Sequence, residues 1–307
     1  MDRVLITGGA GFIGSHLARH FLREGFHVVV LDNLSTGHAK NLPPEVEFVE
    51  GDVRDAEQVS RCVEGARFVL HQAAMVSVPE SVSDPLACHA INGGGTLHVF
   101  SAAARAGVER VTFAASAAAY GRSEALPKTE DMPVDPISPY AATKLLGEHY
   151  CTTFTAQFGL PCVPLRYFNI YGSRQDPSGP YAAVISKFVE RFEAGQAPHI
   201  FGDGKQTRDF CHVSDVVRAN HAALHAPASA AGSPINIGTG AQTSLLDLVE
   251  ALNGLYGRAL EPTFGDERAG DVRHSLADIS RARELLAYAP RMSLREGLAE
   301  LLAAENT

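Results

Sequence analysis

Short apolar runs recur through the first half of the chain, and between them hydrophobic positions return at helical spacing. Runs at 4–6, 28–31, 46–49, 68–70, 111–113 and 163–165 each predict a short buried parallel strand. Segments 11–24, 85–106 and 139–158 predict helices. Repeated β–α alternation of this kind predicts an α/β fold, a doubly wound parallel sheet with right-handed crossovers. Near Asn169 the alternation breaks at a Gly/Pro-rich stretch, 171–180. Helical patterns then dominate at 182–194, 213–224, 245–256, 279–286 and 294–302. We expect residues 1–168 to form the sheet domain, which also receives 213–238. Residues 169–212 and 239–307 should form a smaller, mostly helical lobe over the carboxyl edge of the sheet, where ligands of such folds bind.

Composition narrows the class. The 307 residues are 45% hydrophobic and 20% charged, which is ordinary for a globular chain. A net charge of -9, with no Lys/Arg run, argues against a nucleic-acid partner. The longest apolar run is far too short to span a bilayer, so no membrane partner is expected. Five scattered cysteines without a CxxC predict neither a disulfide framework nor a zinc knuckle. The chain opens directly on a strand pattern without a signal-peptide pattern, and a reducing, cytoplasmic compartment follows as the expectation.

Chemistry enters at the first strand–helix junction, Thr7-Gly8-Gly9-Ala10-Gly11-Phe12-Ile13-Gly14. Gly8, Gly11 and Gly14 permit a tight turn and close approach of a pyrophosphate, and the helix start at Phe12 and Ile13 offers free N–H groups. Asp32 ends the second strand, where a carboxylate accepts both adenosine ribose hydroxyls and repels a 2′-phosphate. Asn33 rather than Arg follows it, so NAD is favoured over NADP. The whole is a Rossmann-type arrangement. Asp52-Val53 closes the third strand, and Asp52 either meets the adenine amino group or caps the helix beginning near Asp55.

A second constellation lies in the middle of the chain. Tyr140 and Lys144 are spaced i, i+4 on a predicted helix, so phenol and ammonium share a face. The cation is expected to lower the tyrosine pKa toward that of a working base. Ser116, just past the fifth strand, is the one polar side chain in an alanine run before Tyr120. It is either a proton-relay hydroxyl or a turn cap.

TGGAGFIG, the HQAA of 71–74, SAAAYG, YAATK and the RYFNIYG of 166–172 occur in an order that resembles the extended short-chain dehydrogenase/reductase family along essentially the whole chain. Within it the sequence is most similar to UDP-hexose 4-epimerases. The resemblance implies NAD that stays bound, with Gln72, Ala73 and Ala74 beside it, and inversion at C4 through a 4-keto sugar. Tyr140 is then the base, Ser116 holds the C4 oxygen, and Lys144 holds the nicotinamide ribose. Asn169 sits by the sugar diphosphate, and Arg208 and Arg268 clamp it. Read without the resemblance, each arginine is as well explained by a surface ion pair. Val76 stands where the glucose/galactose epimerases commonly have lysine, so that cofactor contact is not carried over.

Segments 174–188 and 270–278 are similar to the subgroup acting on UDP-N-acetylhexosamines, and Ser275 falls at the gate beside the sugar C2 substituent. UDP-GlcNAc/UDP-GalNAc and UDP-Glc/UDP-Gal are the implied substrates. The competing readings are a UDP-glucuronate 4-epimerase, a decarboxylase, a 4,6-dehydratase, or a non-catalytic NAD sensor. Ala117 and Ala118 replace the acidic neighbour that dehydrating relatives use, and a sensor would not need the full Ser–Tyr–Lys set. A homodimer through 85–106 and 139–158 is common in the family. His16/His20 and His221/His225 have chelate spacing but no evident third ligand, so no metal is expected. Glu130, Asp131 and Asp135 are expected to form a solvated acidic loop.

Overall fold

The computed structural model describes residues 1–176, 184–267 and 272–305. Its first half runs β1 (Arg3–Thr7), α1 (Phe12–Arg23), β2 (His27–Asp32), β3 (Glu47–Glu50), α2 (Ala56–Val63) and β4 (Phe68–His71). Then come α3 (Val78–Ser83), α4 (Pro85–Cys88), α5 (Thr96–Arg105), β5 (Arg110–Ser116), α6 (Pro139–Phe158) and β6 (Cys162–Tyr167). These strands read as unbroken apolar runs because both faces are covered, except β3 at the sheet edge: the buried strand expected over 46–49 is a half-exposed one there, with Glu47 and Glu50 in solvent. Leu5, Val29, Val69 and Val111 point to one side, where Phe100 of α5 and Phe154 of α6 pack. Val4, Ile6, Val28 and Val30 point to the other, against Leu17 and Phe21 of α1. Removing such side chains from water stabilises the fold by roughly 1.5–3 kcal/mol each.

The second half runs β7 (Asn169–Tyr171), α7 (Val184–Glu193), β8 (His199–Phe201), β9 (Thr207–Arg208), β10 (Phe210–His212) and α8 (Val213–Leu224). It continues with β11 (Ile235–Ile237), β12 (Thr243–Ser244), α9 (Leu245–Tyr256), β13 (Thr263–Gly265), α10 (Ser280–Leu286) and α11 (Leu294–Glu305). All seven strands of the main sheet are parallel, in the order β11-β6-β5-β4-β1-β2-β3. Strand order reverses between β1 and β4, and that crevice at the carboxyl ends is where an open α/β sheet binds ligand. Residues 235–237 thus return to the main sheet beside β6, and α8 packs on α1.

Three further departures from the sequence reading have physical causes. The single helix expected over 85–106 is interrupted by a π-helical stretch, His89–Gly95. Three glycines weaken it, and Gly95 has no room for a side chain: a Cβ there would lie 2.6 Å from Val53 Cγ2. Short strands that were not expected lie among the helices after Asn169: β7–β10 and β8–β13 pair in parallel and β9–β12 antiparallel. Those strands have two or three residues each, too few to show a period. Glu130 is not solvated: its buried carboxylate accepts the Asn236 N–H at 2.9 Å, and burial pushes its pKa up. Among the described residues no helix is long and apolar enough to cross a membrane.

Candidate active site

β1 ends at Thr7 and the chain turns at Gly8, whose φ of +68° lies in the left-handed region. A Cβ on Gly8 would fall 2.7 Å from the Ala73 nitrogen, and one on Gly14 would fall 2.1 Å from the Gly8 carbonyl oxygen. Only hydrogen fits at either place, so the turn packs tightly on the end of β4 and α1 starts close against the turn. Gly11 caps α1 without a side-chain bond, which leaves the first-turn N–H groups at Phe12 and Ile13 without a side-chain acceptor.

Asp32 faces this turn from the end of β2. Its Oδ2 accepts the Ala10 N–H at 2.9 Å and its Oδ1 accepts the Leu34 N–H at 2.8 Å. Both oxygens are therefore oriented by the backbone, and each keeps a second lone pair for a hydroxyl. Asn33 donates to Asp52 Oδ2 at 2.9 Å, and the Arg54 guanidinium clasps Asp52 at 2.9 and 2.7 Å. The Arg54 hydrogen bond holds the Asp52 carboxyl down at about 2. The helix-cap alternative for Asp52 fails, because Asp55 itself accepts the Glu57 and Gln58 N–H groups at 3.0 Å. Val53 is buried against Gly95.

The strand opposite contributes the other wall. Gln72 donates its N–H to the Thr7 carbonyl at 3.0 Å, and Ala73 donates to Thr7 Oγ1 at 3.3 Å. Ala74 is half-buried beside them, whereas Val76 is exposed. His71 is fully enclosed, with Nδ1 at 2.6 Å from Thr7 Oγ1 and Nε2 at 2.9 Å from Thr96 Oγ1. Burial pushes its pKa down to about 3, so the ring stays neutral. Sequence reasoning missed His71, whose place in the HQAA run was the available signal.

Ser116 ends β5, and its Oγ accepts the Ala118 N–H at 3.1 Å, capping a 3₁₀ turn over Ala117–Tyr120. The same hydroxyl is close enough to the Tyr140 phenol to pull its pKa down. The turn-cap reading of Ser116 is what the backbone shows. Tyr140 stands in the first turn of α6, where Ser138 caps the helix and Pro139 starts it. Lys144 follows one turn later, with Nζ 2.8 Å from the Ala114 carbonyl and 5.9 Å from the Tyr140 ring centre. Burial lowers the Lys144 pKa to about 8. It also raises the Tyr140 phenol above its ordinary value, against the pull of Ser116. The expectation that Lys144 lowers the Tyr140 pKa is therefore not met: desolvation wins, and the ammonium is committed to a carbonyl.

In the smaller lobe, Asn169 donates its backbone N–H to the Asp209 carbonyl at 3.2 Å. It lines a cavity of about 260 Å³ together with Tyr171, His199, Phe201, Arg208 and Phe210. Arg208 Nη1 donates to the Thr207 and Arg273 carbonyls at 3.0 and 3.2 Å. Ser275 donates its N–H to Thr207 O at 3.1 Å, which sets it beside the strand that carries Arg208. Arg268 lies outside the described residues, as does part of the 174–188 segment. His199 and Phe201 were also missed by sequence reasoning.

A model described as the NAD dependent epimerase/dehydratase family matches residues 4–238. The chain belongs to that family. It is similar to the UDP-glucose 4-epimerase of Mycolicibacterium smegmatis, with 43% identity over 305 residues, 97% of this chain and 96% of that one. The UDP-glucose 4-epimerase of Thermotoga maritima, solved with UDP-glucose, superposes with a TM-score of 0.94 at 38% identity, covering 99% of this chain and 98% of that one. The UDP-N-acetylglucosamine 4-epimerase of Methanobrevibacter ruminantium, solved with UDP-N-acetylmuramic acid, gives 0.94 at 35% identity with coverages of 99% and 98%. The cofactor of the NAD dependent epimerase/dehydratase family fits what is built here. The start of α1 after Gly11, which no side chain caps, offers N–H groups to a pyrophosphate, and the pre-oriented Asp32 carboxylate suits ribose hydroxyls.

Proposed function

We propose that this protein is a UDP-hexose 4-epimerase that inverts C4 through a transient 4-keto sugar, with NAD as its resident cofactor. The observation that carries the reading is the placement of Ser116 at the carboxyl end of β5 beside Tyr140, with Lys144 one turn on along the same helix face. Gly8, Gly11, Phe12, Ile13 and Gly14 hold the pyrophosphate, Asp32 and Asn33 the adenosine ribose, and Asp52 and Val53 the adenine. Gln72, Ala73 and Ala74 line the opposite wall, and Lys144 binds the nicotinamide ribose.

NAD supplies the acceptor and then the donor of the C4 hydride, and its oxidised ring brings a positive charge. Tyr140, as the phenolate, takes the C4 hydroxyl proton and, as the phenol, returns it after the sugar has turned over. Ser116 holds the same oxygen and passes the proton. Ala117 and Ala118 offer no acid to expel a hydroxyl, which supports inversion over dehydration. Asn169, Arg208 and Arg268 grip the diphosphate, since a guanidinium fork matches phosphate oxygens. The cavity beside Arg208, with the half-exposed Phe201 face on its wall, seats the nucleotide base.

Ser275 supports acceptance of N-acetylated substrates, because a two-atom side chain leaves room at C2 where a larger one clashes. We take UDP-GlcNAc/UDP-GalNAc and UDP-Glc/UDP-Gal as the substrate pairs. Residues 1–168 with 213–238 act as the cofactor domain, and 169–212 with 239–307 as the substrate lobe. Exposed Val82, Leu86 and Leu97 along α3–α5 support a homodimer, and five buried free cysteines suit a cytoplasmic setting.

The test is incubation of the purified protein with UDP-GlcNAc and with UDP-Glc, no cofactor added, and chromatography of the products. Appearance of UDP-GalNAc without net redox supports the mechanism, held NAD and open gate together. Conversion of UDP-Glc alone refutes the gate, and conversion of neither refutes the epimerase reading.

A further inference from the structure

The folded chain rearranges the histidine pairs of the sequence. His16 turns away from His20, its Nε2 2.9 Å from the Ser173 carbonyl oxygen. His225 turns its ring edge-on to Phe68, centroids 5.7 Å apart. The partners left over meet across two helices: His20 Nε2 of α1 lies 2.6 Å from His221 Nδ1 of α8. Glu24, the C-cap of α1, stands one turn beyond His20, and the donor atoms of all three residues lie within 4.8 Å of one another.

We propose that His20, His221 and Glu24 form a zinc site of three protein ligands and one water, which clamps α1 to α8. The ligand set fits the ion. Two imidazoles and a carboxylate with a fourth position left to water is an established coordination pattern for Zn²⁺. A tetrahedral zinc with bonds of about 2.0–2.1 Å spaces its donors about 3.3 Å apart. The two ring nitrogens then open by less than about 1 Å, and Glu24, exposed and free of the helix interior, swings inward.

The local field favours a cation as well. His20 lies in the last turns of α1 and His221 in the last turn of α8, so two helix C-termini converge. The carbonyl ends of both helix dipoles carry partial negative charge there. Of the cations around the site, Arg218 is paired with the buried Asp215 carboxylate, and Arg23, which also faces His20, is opposed there by Glu24. A cavity of about 380 Å³ bordered by His20, His221, Arg218 and Tyr288 gives the ion an entry path and room for its water.

The site is separate from the reacting centre. His20 lies about 12 Å further along α1 than Phe12, at 1.5 Å per residue. Zinc there bridges the helix that carries the dinucleotide turn to the helix that follows β10, and its effect is on stability rather than on chemistry.

The experiment is a Zn²⁺ titration of the chelator-treated, NAD-loaded protein by calorimetry, with thermal unfolding in parallel. We expect one zinc per chain and a Tm that rises with Zn²⁺. Glu24→Gln and His221→Gln should each weaken binding by at least about 10–100-fold, more than the loss of a supporting residue around a metal costs. They should also erase the Tm response while NAD content stays unchanged. Wild-type protein that binds no zinc at micromolar concentration, or variants that bind it as tightly as wild type, overturn the proposal. Should a histidine variant fail to fold, Co²⁺ added to the wild-type protein decides: the visible absorption of a tetrahedral site supports it, and its absence refutes it.

Discussion

Replacing Tyr140 by phenylalanine removes one oxygen and little else. Lys144 keeps its bond to the Ala114 carbonyl at 2.8 Å and its position 5.9 Å from the ring centre, because the ring remains. The phenol loses its polar contact with Ser116, worth at most the about 0.5–1.5 kcal/mol of a hydrogen bond. Removal of a hydroxyl held in a desolvated place offsets part of that. For a chain of this size each kcal/mol moves Tm by about 1.5 °C, so Tm should move by no more than about 2 °C. The loss to catalysis is larger. A positioned acid–base group contributes about 10²–10⁴ in rate, or about 2.7–5.5 kcal/mol at 1.36 kcal/mol per tenfold. The two effects are far enough apart to separate by measurement. The assay follows C4 inversion by NMR, with NAD content and UDP-sugar affinity measured on the same preparation. We expect kcat to fall at least about 100-fold, with cofactor and substrate binding unchanged. Because burial holds the phenol above its ordinary range, wild-type kcat should also rise with pH through neutrality, and the residual rate of the variant should not. A kcat within tenfold of wild type, or activity lost together with NAD, refutes the assignment of Tyr140 as the base.

Four further outcomes follow from the geometry. Gly14→Ala places a Cβ 2.1 Å from the Gly8 carbonyl oxygen. Overpacking of about 1–3 kcal/mol at backbone atoms, which no rotamer relieves, should strip NAD from the purified protein; full NAD content would show that the turn relaxes freely. Asp32→Ala leaves the Ala10 and Leu34 N–H groups without their acceptor, a cost of about 1–3 kcal/mol each; the denaturant midpoint and NAD content should both drop, and an unchanged pair contradicts the reading. Between pH 6.5 and about 3 the unfolded chain takes up a proton at His71 that the folded chain refuses, so this group lowers stability as pH falls, by up to about 1.4 kcal/mol per pH unit. His71→Asn should flatten that slope in urea unfolding across the range, and an equal slope in both proteins rules the group out. Ser275→Tyr should lose UDP-GlcNAc turnover while keeping UDP-Glc turnover, and equal loss of both refutes the gate.

The parallel sheet was legible because its strands are buried on both faces. Val28 to Leu31 could not be read as anything half-solvated, and the glycine turn after Thr7 marks the crevice whatever packs around it. Ser116, Tyr140 and Lys144 were legible because local geometry sets them: the end of a strand for one, and one turn of a single helix for the other two. The short strands of the smaller lobe were not, since two or three residues carry no period and owe their conformation to distant partners such as Thr207 and Ser244. The Tyr140 pKa was misjudged for a related reason. Helical spacing gives the distance to Lys144 but says nothing of the desolvation that both groups share. Asp52 shows the same limit, its helix-cap role falling to Asp55 only once Arg54 closed on it.

What the sequence determined by itself is therefore whatever rests on neighbours in the chain: the element types, the dinucleotide turn and the Tyr–Lys face. Only the tertiary structure decided the rest. It enclosed His71 between Thr7 and Thr96, it buried Glu130 under Asn236, and it brought His20 to His221 across two helices. The physical reason is that periodicity reports which face of an element is apolar, whereas a side chain's partners, charge state and solvation are set by residues from remote parts of the chain.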